Sequence, residues 1–408
     1  MHIFTRHHHA FLKLLSFRIL MVLAYQIMAV AVGWHIYEIT HDTLALGLIG
    51  LAEVIPYFIC ALFAGHAVDH YYSRRFFGTL AAVTLGINAL ALTALTMGLI
   101  GNSESASVWI YGCIMLTGIE RAFIAPSYST LFAIILPREE YARASAIGSS
   151  VFQAGLIAGP AIGGLLVGFA SKTAAYSIAA ILCMMAAIMM LSIKIKEPPA
   201  VESPPVFSSI AQGLRFVFSN QIVLGALSLD MFAVLFGGAV AMLPAFIHDI
   251  YHYGPEALGV LRAAPAVGAI LTGIWLARHP INLHAGRWLL GSVAGFGLCI
   301  IGFGLSTHIW IACGLLALSG VFDGVSVVMR QTILQLATPD AMRGRVSAIN
   351  GIFIGSSNEL GAFESGLAAR LLGLVPSVIF GGVMTLSVVG ITAKVAPQLR
   401  KLELHQLH

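Results

Sequence analysis

Leu116-Thr117-Gly118-Ile119 and Leu318-Ser319-Gly320-Val321 are one tetrapeptide written twice. Downstream, Pro137 answers to Pro339, Arg143 to Arg345, and Ser145-Ala146-Ile147 to Ser347-Ala348-Ile349. A single offset carries every one of these onto its partner, so they belong to one duplicated unit without an internal gap. Each copy runs along an apolar segment, through a short basic loop, and into a second apolar segment. A duplicated bundle of membrane helices, with the binding site where the repeats meet, is a common plan for a transporter.

Composition sends the chain into a bilayer. Of its 408 residues 58% are hydrophobic and 10% charged, and the mean hydropathy is +0.90. A soluble domain covers its surface with about 25% charged residues, so this one must face lipid. A helix needs about 20 apolar residues to span. Twelve runs qualify: 17–39, 43–67, 76–99, 108–136, 144–170, 173–194, 219–248, 256–277, 287–306, 308–336, 346–372 and 376–396. The alternation of a membrane β-barrel is absent, which leaves helices to satisfy the backbone. The expectation is an all-α membrane protein with twelve transmembrane helices in two pseudo-symmetric six-helix bundles.

The net charge of +4 matters less than where the charges sit. Arg6, Lys13 and Arg18 precede or open the first span. Every second loop is basic: Arg74-Arg75; Arg138 and Arg143; Lys194, Lys196 and Arg215; Arg278 and Arg287; Arg343 and Arg345. Lys394, Arg400 and Lys401 close the chain, while the intervening loops hold Lys172 and Arg370 and little else. The positive-inside rule then places both termini in the cytoplasm, and in a bacterial cell the membrane is the inner one. The charges are spread along one membrane face rather than gathered in a patch, so no nucleic-acid partner is expected.

Cys60, Cys113, Cys183, Cys299 and Cys313 all fall inside apolar runs, with neither metal-ligand nor disulfide spacing. They read as packing residues. His7-His8-His9 reads as a solvated tail. The basic N-terminus followed by an apolar run resembles a signal peptide, but the run is too long and lacks a small-residue cleavage site, so a first spanning helix is expected.

One long polar stretch breaks the pattern. Ile195-Lys196-Glu197-Pro198-Pro199 and Ser203-Pro204-Pro205 cannot continue a helix. It divides the chain into a bundle over 1–194, a cytoplasmic linker over 195–218 and a bundle over 219–408. Ser208 to Phe218 reads as an amphipathic helix on the cytoplasmic surface. No Walker-type glycine loop is present, so transport would draw on a gradient, and no cofactor or metal is expected.

Three local signatures resemble the major facilitator superfamily. After the second span, Gly65-His66-Ala67-Val68-Asp69 is followed by Arg74-Arg75; the family's second glycine is replaced around Tyr72-Ser73. In the fifth span, Gly155-Leu156-Ile157-Ala158-Gly159-Pro160-Ala161-Ile162-Gly163-Gly164 looks like the motif that marks exporters, usually proton antiporters, at every glycine and at the proline. The third, Arg330-Gln331-Thr332, Pro339 through Ser347 and Gly355 through Gly361, is similar to the branch containing enterobactin-type siderophore exporters and macrolide effluxers. The resemblance implies the facilitator fold, export, a cavity lined by the first, fourth, seventh and tenth spans, and an inner gate latched by Gly65, Asp69, Arg74 and Arg75. A basic loop serving only topology is the plainer reading of that gate.

Independently of the resemblance, ionisable residues inside spans each need a reason. They are Glu53, Glu120, Arg121, Asp230, Arg262, Asp323, Arg330, Glu359 and Glu364. Ser319, Asp323, Ser326 and Arg330 share one helical face on the tenth span. Thr117, Arg121, Ile124 and Tyr128 are their counterparts on the fourth, with Arg121 standing where Asp323 stands. The opposite charges read as an ion pair between halves, as two walls of one cavity, or as a salt bridge that only locks the bundles. Asp230, midway along the seventh span, is a second proton-carrying candidate, unless a hydroxyl neighbour merely satisfies it. On the eleventh span Asn350, Ser357 and Glu364 share a face; Glu359 points about 140° away and is assigned to a neighbouring helix or to the Ser356-Ser357 kink. Glu53 stays ambiguous. Tyr25, Trp34, Tyr37, Tyr57 and Phe232 fit an apolar cargo site or ordinary packing equally.

The sequence therefore reads as a monomeric, lipid-embedded exporter exchanging a small amphipathic molecule, a siderophore or drug-like compound, for protons. Arg121, Glu120, Asp230, Asp323, Arg330 and Glu364 form the proposed coupling and cargo set. An importer or uniporter is the alternative within transport, and a membrane receptor or scaffold the alternative outside it. Nothing pairs a nucleophile with a base as an enzyme would.

Overall fold

The computed structural model describes residues 6–70, 74–101, 105–137, 140–195, 206–279, 281 and 283–403. Arg138, Lys196, Tyr72-Ser73 and the prolines of the linker lie outside the described residues.

The described residues are helical almost throughout. The first sequence half gives α1 (Arg6–Thr40), α2 (Thr43–His70), α3 (Arg74–Thr96), α4 (Ala106–Ile135), α5 (Tyr141–Leu165) and α6 (Lys172–Leu191). The second gives α7 (Val206–Ser219), α8 (Gln221–Phe236), the single turn α9 (Leu243–Ala245), α10 (Glu256–Arg278), α11 (Ala285–Leu305), α12 (Ile309–Ala337), α13 (Asp340–Leu372), α14 (Leu374–Val395) and the short α15 (Pro397–Arg400). The offset that carries Leu116 onto Leu318 also carries α4 onto α12, α5 onto α13 and α6 onto α14, to within a few residues at each end.

The repeat extends to packing. In one copy α3 lies against α4 and α6; in the other α11 lies against α12 and α14. The apolar faces that the tetrapeptides belong to are thus buried the same way twice, as duplication requires.

Local chemistry sets the helix ends. Asp42 Oδ1 accepts from the Leu44 amide (2.9 Å) at the start of α2, Ser171 Oγ from the Ala174 amide (3.0 Å) at the start of α6, and Asn220 Oδ1 from the amides of Ile222 and Val223 at the start of α8. Each side chain satisfies amides that have no intrahelical partner. Gly373, at φ +95°, lets α13 turn directly into α14. Beyond the C-terminus of α6, the carbonyls of Ser192 and Ile193 are taken by Lys13 Nζ (2.7 Å) and by the Arg75 guanidinium. Two cations therefore complement the negative end of one helix.

Two expectations change and two gain detail. The first helix begins at Arg6 rather than near residue 17; at 35 residues it is about 52 Å long, and its extra turns carry Lys13 to the end of α6. The seventh span is not one helix. Residues Gln221–Tyr251 are long and apolar enough to span, yet α8 stops at Phe236 and the chain passes through a 3-10 turn, Gly238–Met242, and a wider turn, Phe246–Tyr251. Gly237 and Gly238 weaken the helix there, and Pro244 cannot donate to it. Eleven helices among the described residues are long and apolar enough to cross a membrane. The twelfth, α13, has the length, but Glu359, Glu364 and Arg370 interrupt its hydropathy. Finally, the amphipathic segment is a helix of its own, α7, whose Val217 is buried beside Val223, Leu227, Leu334, Val346 and Ile349; it packs on α8 and α13.

The chain forms two compact units. One comprises residues 1–39, 52–203 and 254–259; the other 40–51, 204–253 and 260–408. The division therefore falls inside α2 and α10 as well as in the linker. In the second unit the first turns of α2 sit on α13, with Gly47 against the Gly366 backbone and Gly50 against the Glu359 carbonyl.

Candidate functional site

In the first unit, α1, α2 and α4 bring three polar side chains together. The Arg121 guanidinium forms an ion pair with Glu53 Oε1. Arg121 Nη1 donates to the Tyr25 hydroxyl (3.0 Å), and that hydroxyl donates to the same Glu53 oxygen (3.0 Å). The guanidinium also stands 4.7 Å from the centre of the Tyr25 ring and 5.5 Å from that of Tyr57. Glu53 is buried, whereas the Arg121 side chain is 25% exposed. Gly118, a turn before Arg121, makes this approach feasible: any Cβ there would strike the Glu53 carbonyl and Pro56. The glycine of the repeated tetrapeptide is the contact between α2 and α4.

In the second unit, α8 and α12 hold Asp230 and Arg330 as an ion pair. Both are deeply buried, at 4% and 2% exposure. Arg330 Nε is buried without a hydrogen-bond partner among the described residues. Along the same face of α12, Ser319 donates to the Leu316 carbonyl (2.7 Å), and Ser326 Oγ is buried without a partner. Asp323 is half-buried, and no described side chain bonds its carboxylate. On α13, Ser365 reaches Glu364 Oε2 at 3.5 Å, Ser357 donates to the Phe353 carbonyl (2.6 Å), and Asn350 Oδ1 is buried and unpartnered.

The predicted residues are thus sorted rather than gathered. The carboxylate beside Arg121 is Glu53, which the sequence left ambiguous, and the cation beside Asp230 is Arg330. Glu120 does not join Arg121: it turns to α3, where its Oε1 accepts from Asn88 Nδ2 (3.1 Å). Gly155, Gly159 and Gly163 pack α5 onto α1. Added Cβ atoms would stand 2.6 Å from Val22, 2.5 Å from Gln26 and 3.1 Å from Ile27. Gly164 meets the backbone of Gly259 on the first turn of α10, and Pro160 lies inside α5 beside it. Gly65 and Asp69 lie on α2, with their side-chain surroundings outside the described residues; Arg74 is buried, and Arg75 holds the end of α6. Among the described residues no group of three or more His, Cys, Asp or Glu could hold a metal ion.

Two pairs escaped the sequence reading. Lys172 Nζ meets Glu38 Oε2 at 2.7 Å, and Arg370 Nη1 meets Asp42 Oδ2 at 3.1 Å. These are the two basic residues found in the non-basic loops, and each is neutralised by an acid near the end of α1. Glu38 and Asp42 were visible in sequence, four residues apart, but their partners are far along the chain.

Long apolar helices packed as two copies of one plan, each enclosing a buried ion pair that lipid alone would not tolerate, define a multi-pass membrane transporter. The chain belongs to the major facilitator superfamily, whose family model matches residues 14–362. The enterobactin exporter EntS of Escherichia coli O1:K1 / APEC is 27% identical over 348 residues, covering 84% of this chain and 81% of the exporter. EntS of Escherichia coli O6:K15:H31 (strain 536 / UPEC) matches to the same extent. Among solved structures, a bacterial homologue of the human lysosomal transporter Spinster aligns with a TM-score of 0.74 at 14% identity, covering 97% of each chain. A POT family transporter in complex with 5-aminolevulinic acid gives 0.74 at 12% identity, covering 95% of this chain and 96% of the other. At such identities these two speak for the fold alone. The chain is a transporter and not an enzyme.

Proposed function

We propose that this transporter exports a small amphipathic molecule of the siderophore or drug-like class, in exchange for protons, by alternating access. It works as a monomer in the bacterial inner membrane with both termini cytoplasmic. One observation carries the reading: each sequence half encloses its own buried ion pair, Glu53 with Arg121 and Asp230 with Arg330. Such pairs are costly to bury, and a receptor or scaffold has no use for one in each half. The likeness to EntS supports export and an iron-chelating cargo. The α1–α5 glycine seam supports antiport through its resemblance to the exporter motif. Lys172 and Arg370, the exceptions to the charge alternation, are paired with acids, which supports the orientation.

Of the two candidate proton carriers, Asp323 fits better. Asp230 is tied to the Arg330 guanidinium, whereas no described group holds Asp323. Arg121, Glu120, Arg330 and Glu364 then shape the cargo path, and Asp69 with Arg74 and Arg75 latches the inner gate. A deletion strain carrying the native gene should release siderophore into iron-poor medium and tolerate amphipathic antibiotics. With Asp323→Asn, release should fall well below the native level, to what downhill movement alone supplies. Native-level release by that variant would remove Asp323 from the coupling step; no difference between the native gene and the deletion for any compound would refute export.

A further inference from the structure

Between α10, α11 and α12 lies a cavity of about 810 Å³, built entirely within the second unit. That volume is within the range that holds a drug-sized ligand, about 300–1,000 Å³. Leu271, Val321, Phe322 and Val325 form its apolar walls. The hydroxyls within it are already committed: Thr272 donates to the carbonyls of Gly268 and Val321, and Ser292 to that of Leu289. The depth of the cavity therefore offers a ligand no free hydroxyl donor.

Its mouth differs. Trp275 lies one turn before the end of α10 and Trp288 one turn after the start of α11, both about half exposed. Two indoles at the level where helices meet a connecting loop mark a membrane–water boundary. Arg287 and His284 stand beside them. Glu403 already claims His284: it accepts from the His284 amide (2.6 Å) and lies 3.7 Å from the ring. No described residue bonds or pairs with the Arg287 guanidinium, which is exposed.

We propose that this groove binds one anionic phospholipid, with an acyl chain against Leu271, Val321 and Phe322 and the phosphate on Arg287. An unpaired guanidinium is suited to a phosphate because its planar fork matches two oxygens. A polar cargo would leave its acceptor groups unsatisfied between these apolar walls, whereas a lipid brings charge only to the mouth.

The test uses the full chain in vesicles doped with phosphatidylglycerol or phosphatidylcholine brominated on the acyl chain, which quenches indole fluorescence on contact. Subtracting the signal of a Trp275→Phe/Trp288→Phe variant isolates the groove. Native protein should be half-quenched by the anionic lipid at about a fivefold lower fraction than by the zwitterionic one, the weight of roughly 1 kcal/mol per arginine near a membrane surface. Arg287→Ala should erase that preference, and Arg287→Lys should keep most of it, which separates lost charge from a misfolded groove. Equal quenching by both lipids, or a preference that survives Arg287→Ala, overturns the proposal. Loss of the preference on adding inorganic phosphate also overturns it, since the site would then take a free anion. No cargo is present, so the outcome does not depend on the export reading.

Discussion

Arg330→Met is expected to leave little folded protein, and what survives should melt far below the native chain in detergent. Asp230 and Arg330 are almost wholly buried and paired with each other. Removing the guanidinium strands a carboxylate away from water, which costs about 3–5 kcal/mol. Asp230→Asn combined with Arg330→Met removes both charges, and most of the lost stability should return, because a neutral pair need not be solvated. Stability and transport then separate. If the double variant folds but does not transport, the pair belongs to the mechanism; if it transports like the native chain, the pair only holds α8 to α12. A single variant that melts like the native chain would mean that the pair does not form.

Glu53→Ala should be the second most damaging change, at about 2–3 kcal/mol, since hydrogen bonds to charged groups are worth about 1.5–3. The cost stays below that of the α8–α12 pair because the Arg121 side chain is 25% exposed and keeps some water. Tyr25→Phe removes one hydroxyl shared by Arg121 and Glu53 and should cost about 1 kcal/mol. Exchanging the charges, Glu53→Arg with Arg121→Glu, should recover part of the loss measured by thermal unfolding. An exchanged variant no more stable than the worse single variant would show that these side chains do not meet.

How much of this was legible in the sequence depends on the range of each interaction. The duplicated tetrapeptide revealed the repeat, and α4 and α12 fall on it because apolar length and shared glycines are properties of contiguous residues. The polar stripe of α12 followed from helical period alone. The pairings did not. Arg121 and Asp323 are equivalent under the repeat, and equivalence by duplication does not itself specify a partner. The partner of Arg121 is set by Gly118 and Pro56, which bring α2 and α4 together, and no spacing rule reaches from residue 53 to 121. The same limit hid Asp230 and Arg330. Each half held both acids and bases among its spans, but with more than one acid in each the sequence could not say which of them would pair. The break after Phe236 was visible as Gly237-Gly238, yet hydropathy is blind to it because the flanking residues are all apolar.

Glu120 and Glu364 belong to neither ion pair. Glu120 spends one oxygen on Asn88 at the α3–α4 contact, so its removal should loosen packing before it alters cargo. Glu364 sits beside Ser365 on α13 and keeps its polar stripe with Asn350 and Ser357.

Uptake into inverted vesicles under an imposed proton gradient tests the central claim of proton-driven export most directly. Native protein should accumulate the cargo identified in cells, and an uncoupler should abolish that accumulation. Cargo affinity should fall as the pH drops, because proton and cargo compete for the same carboxylate. Asp323→Asn should fail to accumulate cargo uphill yet still exchange it down its own gradient. Accumulation that persists unchanged after the uncoupler collapses the gradient would contradict proton antiport.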